Sequence, residues 1–339
     1  MSPALHRTPQ PAIAAGAQAA ARAVTCIALI AAPLMVQAQG VAWISSEKDH
    51  ALTLLDLKTQ AVVGTVPTCK RPRHMQVTPD GKQVAVACGE SAEADFIDIA
   101  TKKSVRRVPL GDDPEIFDLS ADGKTLFVTN EEDSELGFID LATGKRSRAV
   151  KVGGEPEGVK LSADGKLVYV TSEVANTVHA VEVASGKVVH NVKVGKRPRR
   201  FALSPDGGTL WVSNELDASV SVIDTKTHTV AATIAFEVKG ARKADITPVG
   251  LAFTRDGKRA FVGLGRANHV AFVDVGTRKV TDLVLVGKRA WGVALDRAEK
   301  TLLVMNGLSD DVTIVDVAGA KAVKTVKVGR VPHSAVVVE

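Results

Sequence analysis

Four loops spaced 42 residues apart carry Arg73, Glu115, Glu157 and Arg199, each directly after a proline. Three more loops in the same frame carry Val249, Trp291 (where Ala290 replaces the proline) and His333. A position that served only the scaffold would keep its residue type. This one changes charge, size and aromaticity while its neighbours repeat: Glu-Pro-Glu at 155–157 becomes Arg-Pro-Arg at 197–199. A second loop in each unit varies at Glu47, Gly89, Glu131, Glu173, Glu215, Gly265 and Gly307. Clustered carboxylates suit a cation such as Ca²⁺, or acid–base chemistry where their pKa values are perturbed. Arginines suit bidentate capture of carboxylates.

The elements that place these residues follow from a repeat. An acidic residue closes an apolar run at Asp56, Asp98, Asp140, Glu182, Asp224, Asp274 and Asp316, at intervals of 42 except for one of 50. An eight-residue insertion around FEVKGARKADI accounts for the long interval. Each unit holds four short strand-like runs, as in RFALS, TLWVSN, SVSVID and TVAATIAF. The first two are joined by an Asp-Gly turn, a strong hairpin signal; the last unit departs from it with DRAEK. All seven acidic residues are expected to start the next turn by accepting nearby amide N–H groups. Four strands per unit and seven units predict an all-β, seven-bladed β-propeller of four-stranded antiparallel blades. The first unit begins at its second strand, VAWIS, and the terminal SAVVVE supplies a first strand, so the C-terminus is expected to complete the N-terminal blade.

Residues 23–36 form an apolar run preceded by Arg7 and Arg22 and followed by Val-Gln-Ala at 36–38. This reads as a cleaved signal peptide, residues 1–38, ahead of a single propeller domain, residues 39–339; an uncleaved anchor is the alternative. The run is short for a membrane span and none follows it. Without residues 1–38 the balance is 41 basic against 38 acidic residues, too even to argue for nucleic acid. Cys69 and Cys88 remain, placed where other units have glycine and Asn or Ser; an oxidising compartment permits a disulfide, and two free thiols are the alternative.

In a propeller the first strand of each blade lines the central channel, so both sets of loops converge on one mouth. Hairpin pairing sets Glu131 near Glu115, Glu173 near Glu157 and Glu215 near Arg199. The mouth is expected to hold an acidic arc flanked by Arg71 and Arg73 on one side and Arg197, Arg199 and Arg200 on the other. Val249 and Trp291 would form an apolar arc opposite. A self-neutralising ring of salt bridges, worth little where exposed, and a ligand or partner site both fit these residues. His74 and His333 fall on adjacent blades and lack a third ligand for zinc. The candidate binding residues are Arg73, Glu115, Glu131, Glu157, Glu173, Arg199, Arg200, Glu215, Trp291 and His333; no catalytic residue is assigned.

VYVTS at 168–172, with SPDG and VSVID, resembles YVTN-type β-propeller repeats. The order GDDPEIFDLSADGKTLFVTNEED, GGEPEG, KRPRRFALSPDG, ITPVGLAFTRDGKRAFVGLGRANHVAFVD and VGKRAWGVAL is similar to the propeller proteins associated with catabolism dependent on pyrroloquinoline quinone (PQQ). The resemblance spans essentially all of residues 41–339. It implies a periplasmic, non-catalytic binding or scaffold protein of a quinoprotein alcohol-oxidation and transport system; a monomer is expected. Its partner would be a protein of that system or an anionic small molecule such as PQQ. A single-strand nucleic-acid binder and a metal-assisted propeller hydrolase or lactonase are the alternatives.

Overall fold

The computed structural model describes residues 9–10 and 40–339. But for Pro9 and Gln10, the expected signal segment lies outside the described residues. Residues 40–339 form seven four-stranded antiparallel sheets arranged as a β-propeller. Blades two to five start at Pro72–Val77, Pro114–Leu119, Pro156–Leu161 and Pro198–Leu203; blades six and seven start at Leu251–Phe253 and Ala290–Leu295. Blade one takes Pro332–Val338 as its inner strand, paired antiparallel with Val41–Ser46 in the register Ala42↔Val337. The ring is therefore closed by the two chain ends, which leaves neither as an open edge.

The hairpin turns show why these residues fold locally. In Thr78–Gly81 the Gly81 amide bonds the Thr78 carbonyl at 2.8 Å, and Gly81 has φ +71°. Asp80 accepts from the Thr78 hydroxyl and the Lys82 amide. The departing sequence DRAEK makes the same turn: Glu299 takes the left-handed place at φ +56°, and the Asp296 carboxylate accepts from the amides of Lys300 and Thr301. The turn after the third strand is held as the repeat predicts in six blades, where Asp56, Asp98, Asp140, Asp224, Asp274 and Asp316 accept the amide three residues on at 2.6–2.8 Å. Glu182 departs from that expectation. It is exposed, and its turn closes through the backbone, Gly186 N–H to Glu182 O at 2.8 Å. The added methylene moves the carboxylate off the position an aspartate takes.

The apolar core is not central. It consists of seven clusters, one between each pair of neighbouring blades, such as Phe96, Phe117 and Leu126 between blades two and three and Trp211, Phe236 and Val262 between blades five and six. The channel is thus free to hold polar groups. The eight-residue insertion leads through a 3₁₀ turn, Lys243–Asp245, into blade six and shortens its inner strand to three residues.

Removing Pro332–Glu339 deletes one inner strand and opens the edge of Val41–Ser46. The expected result is loss of the single cooperative thermal transition, with aggregation, read by circular dichroism and size-exclusion chromatography. A truncated chain that melts at the same temperature as the full one would contradict closure by these strands.

Candidate functional site

Three local devices set the variable loop residues, each acting in several of the seven blades. First, the residue before the loop proline takes a left-handed conformation: Arg71, Asp113, Glu155, Arg197, Arg289 and Val331 have φ between 37° and 62°. Each costs of order 1 kcal/mol for a residue other than glycine. Second, a β-bulge falls at the variable residue, with register shifts between Pro72 and Met75, Pro114 and Phe117, Pro156 and Val159, Pro198 and Phe201, and Ala290 and Val293. A bulge re-aims the side chain it carries. Third, a hydroxyl from the preceding blade fixes the backbone. Ser45 Oγ donates to Arg73 O at 2.7 Å, Thr129 Oγ1 to Glu157 O at 2.7 Å and Thr171 Oγ1 to Arg199 O at 3.4 Å. The second-loop position is tied to the first by backbone bonds, Glu131 N–H to Asp113 O, Glu173 N–H to Glu155 O and Glu215 N–H to Arg197 O.

The side chains so placed interlock across blades. Arg199 lies at the centre, with Glu157 at 3.2 Å, Glu173 at 2.8 Å and Glu215 at 3.5 Å. Arg200 reaches the same Glu157 oxygen at 2.8 Å and crosses the channel to His333 Nε2 at 3.1 Å. Arg73 pairs with Glu115 of the next blade. Arg197 closes the outer side against Glu173 at 2.6 Å and Glu215 at 3.4 Å. Glu131 is half-buried and lies with Asp113 and Glu115, all three within 4.8 Å of one another. These three could hold a cation, but Arg71 is 3.1 Å from Asp113 and Arg73 is on Glu115, so two of the three charges are already met.

The ion pairs of the mouth are not exposed: Arg73, Glu115, Glu157, Glu173, Arg199 and Glu215 are all buried. Such pairs contribute little net stability, yet removing the arginine of a pair that has no second cation leaves a buried carboxylate uncompensated and costs about 3–5 kcal/mol. Nor is there an open apolar arc. Val249 is fully buried, and the Trp291 ring lies beneath the guanidinium groups of Arg289 at 4.2 Å and Arg199 at 5.2 Å from its centroid. His74 also leaves the mouth; it packs edge-on to Phe117 inside the channel.

The arginines, not the glutamates, border the open space. A cavity of about 180 Å³ is lined by Arg71, Arg73, Arg199, Arg289, Trp291 and His333, with Glu47 as its one carboxylate. Arg73 Nε, Arg199 Nε, Trp291 Nε1 and His333 Nδ1 are buried without a hydrogen-bond partner. His333 is held neutral, its pKa pushed well below the usual range by burial and by Arg73 and Arg200, so Nε2 accepts from Arg200. Sequence reasoning does not single out Arg289. The signal for it is positional, since it occupies the same left-handed loop place as Arg71 and Arg197.

Cys69 and Cys88 are joined by a disulfide with Cα atoms 5.8 Å apart. In other blades glycine backs directly onto Asn or Ser here, as Gly195 does on Asn214 and Gly153 on Ser172, leaving no room for a Cβ. In blade two both members of that contact are cysteine, and the bond replaces the contact. It anchors the loop that carries Arg71 and Arg73.

Burial raises the Glu173 pKa to about 7, Glu157 adding to the rise and Arg199 opposing it. Because the folded value lies above the ordinary 4.5, Glu173 costs nothing below pH 4.5, and stability falls as pH rises through 7, by about 3 kcal/mol in the limit. Glu173→Gln should therefore melt a few degrees above the unsubstituted chain at pH 8 and level with it at pH 4.5. Glu157 behaves oppositely: burial raises its pKa, but Arg199, Arg200 and Arg73 outweigh that and hold it at about 2, so its contribution is present above 4.5 and lost as pH falls through 2. The paired substitution Cys69→Gly with Cys88→Asn should lower stability by about 3 kcal/mol in denaturant titrations, the loop-closure value for its 19-residue separation.

The choice-of-anchor I domain family pattern matches residues 132–302. No curated protein matches the chain in sequence. Among solved structures it is similar to a hydrazine synthase chain of Kuenenia stuttgartiensis, at 23% identity and TM-score 0.72, covering 82% of this chain and 93% of that one. It is also similar to a functionally unknown protein of Desulfotomaculum acetoxidans, at 15% identity and TM-score 0.76, covering 88% and 98%. A third similar structure is the dihydro-heme d1 dehydrogenase NirN in complex with DHE, at 17% identity and TM-score 0.67, covering 88% and 75%. At these identities the structural likenesses speak for the propeller alone. The sequence pattern covers half of the chain, and the chain belongs to the choice-of-anchor I domain family.

Proposed function

We propose that this chain is a non-catalytic binding protein of the periplasm, serving a PQQ-dependent oxidation system and holding a polycarboxylate such as PQQ at the mouth of its channel. The observation that carries the reading is the cavity in which Arg71, Arg73, Arg199 and Arg289 face one carboxylate, Glu47. Guanidinium groups bind carboxylates through paired, charge-assisted hydrogen bonds. The free Nε atoms of Arg73 and Arg199 and the free indole N–H of Trp291 are donors without acceptors, which is what an anionic ligand would supply.

The glutamates support binding rather than turnover. Glu157, Glu173 and Glu215 sit against Arg199 and do not line the cavity, so they hold its guanidinium rather than face a substrate. A location outside the cytoplasm is supported by the family pattern, by the signal-like N-terminus and by a disulfide placed as a structural contact. Among the described residues no helix is long and apolar enough to cross a membrane.

The test is thermal unfolding of residues 39–339 with and without excess PQQ. Occupancy at about 100 times Kd should add about 2.7 kcal/mol and raise the midpoint by several degrees. Arg199→Ala takes the buried central cation from three carboxylates and endangers the fold, so Arg289→Ala, which removes a half-buried side chain, is the companion variant. Loss of the shift in a folded Arg289→Ala chain supports the site. An unchanged midpoint in the unsubstituted chain would rule out PQQ as the ligand.

A further inference from the structure

The channel has a second, larger space at its other end. It has a volume of about 430 Å³ and lies where the inner strands run into their hairpin turns. A space of about 190 Å³ continues it toward the mouth, sharing His74, Ile116, Arg200, Phe201 and Leu251. Arg200, Trp291 and His333 border this upper part, and Arg200 spans the channel from blade five to His333 of blade one. The mouth and the lower channel thus meet at one cationic bar.

The lower walls divide by chemistry. Phe201 and Phe253, both part-exposed, give two aromatic side chains on blades five and six. The charged pair on blades three and four is already satisfied. Asp118 accepts from Gln76 Nε2 at 2.9 Å and from the amides of Leu119 and Leu161 at 3.1 and 2.8 Å, and it meets Lys160 Nζ at 2.9 Å. His74 is neutral, its pKa lowered to about 3 by burial and by Arg200. Arg200 differs. Its Nη1 stands 2.8 Å from Glu157 but out of line for a hydrogen bond, and that oxygen is shared with Arg199. Arg255, the other arginine of the lining, is engaged by Glu299 at 3.2 Å and by the Arg297 carbonyl at 2.6 Å. Arg200 is therefore the cation left with donor capacity to spare, above the two phenylalanines.

We propose that the lower channel is a separate binding site for a small carboxylate with a flat apolar body, an aryl or arylalkyl monocarboxylate. The carboxylate accepts from Arg200, and the ring lies against Phe201 and Phe253. This chemistry differs from that of the mouth, where several guanidiniums and little apolar wall favour a polyanion. The site stands whether or not the mouth binds PQQ. Because Arg200 and Arg199 share Glu157, occupation below also reaches the mouth network.

Isothermal titration of the purified chain with phenylacetate tests the assignment, with phenylacetamide as its uncharged counterpart. Saturable binding is expected for phenylacetate, with the amide weaker by about tenfold or more, the loss of a charge-assisted contact. Arg200→Gln should reduce phenylacetate affinity similarly. Ala202→Phe, which narrows the cavity without touching a charge, should reduce it as well and keeps the test valid if Arg200→Gln fails to fold. The proposal is overturned if the folded chain shows no saturable binding at millimolar phenylacetate, or if the amide binds equally. It is also overturned if binding survives Ala202→Phe but is lost in Arg289→Ala, which would seat the ligand at the mouth.

Discussion

Arg199 is the charge on which this mouth depends. It is buried, it touches glutamates from two blades, and its guanidinium lies over the Trp291 ring. No single contact would hold a desolvated guanidinium; three carboxylates and an aromatic face together do. The fold makes this possible by placing its apolar core between blades. A molecule whose hydrophobic surfaces are consumed at seven blade interfaces can leave its axis to polar groups. The ring needs only that the inner strands be held in register, and the bulges, left-handed loop residues and serine or threonine hydroxyls do that.

Within the network, holders and presenters are different residues. Glutamates on blades three to five pair with arginines, and four arginines line the cavity. The reversal from Glu-Pro-Glu in blade four to Arg-Pro-Arg in blade five is therefore complementary. The two loops are neighbours, and one supplies the acid that the other's arginines require. Blade two repeats the arrangement with Arg73 against Glu115 of blade three. There the disulfide adds a covalent anchor to the loop where its neighbours have only a packed glycine.

The propeller was legible in the sequence because its determinants are local. An Asp-Gly hairpin and a turn-starting aspartate act within a few residues, and 42-residue spacing then multiplies them. Even DRAEK, which breaks the pattern in letters, keeps it in geometry through Asp296 and Glu299. The residues at the mouth were legible as a set because they vary where the frame does not. Their roles were not. Whether Glu157 faces a ligand or an arginine depends on a contact between blades, and no spacing along one strand encodes it. Arg289 was hidden because its importance comes from a left-handed backbone two residues before Trp291, and the burial of the ion pairs was hidden because depth is set by the whole ring.

The account turns on the division between glutamates that hold and arginines that bind, and a crystal structure of residues 39–339 grown with PQQ would test it most directly. The proposed arrangement places the ligand's carboxylates within hydrogen-bonding distance of two or more of Arg71, Arg73, Arg199 and Arg289, with Glu157 and Glu173 still against Arg199. A ligand seated on the glutamates, or an ordered arginine cluster left empty at saturating PQQ, would contradict it.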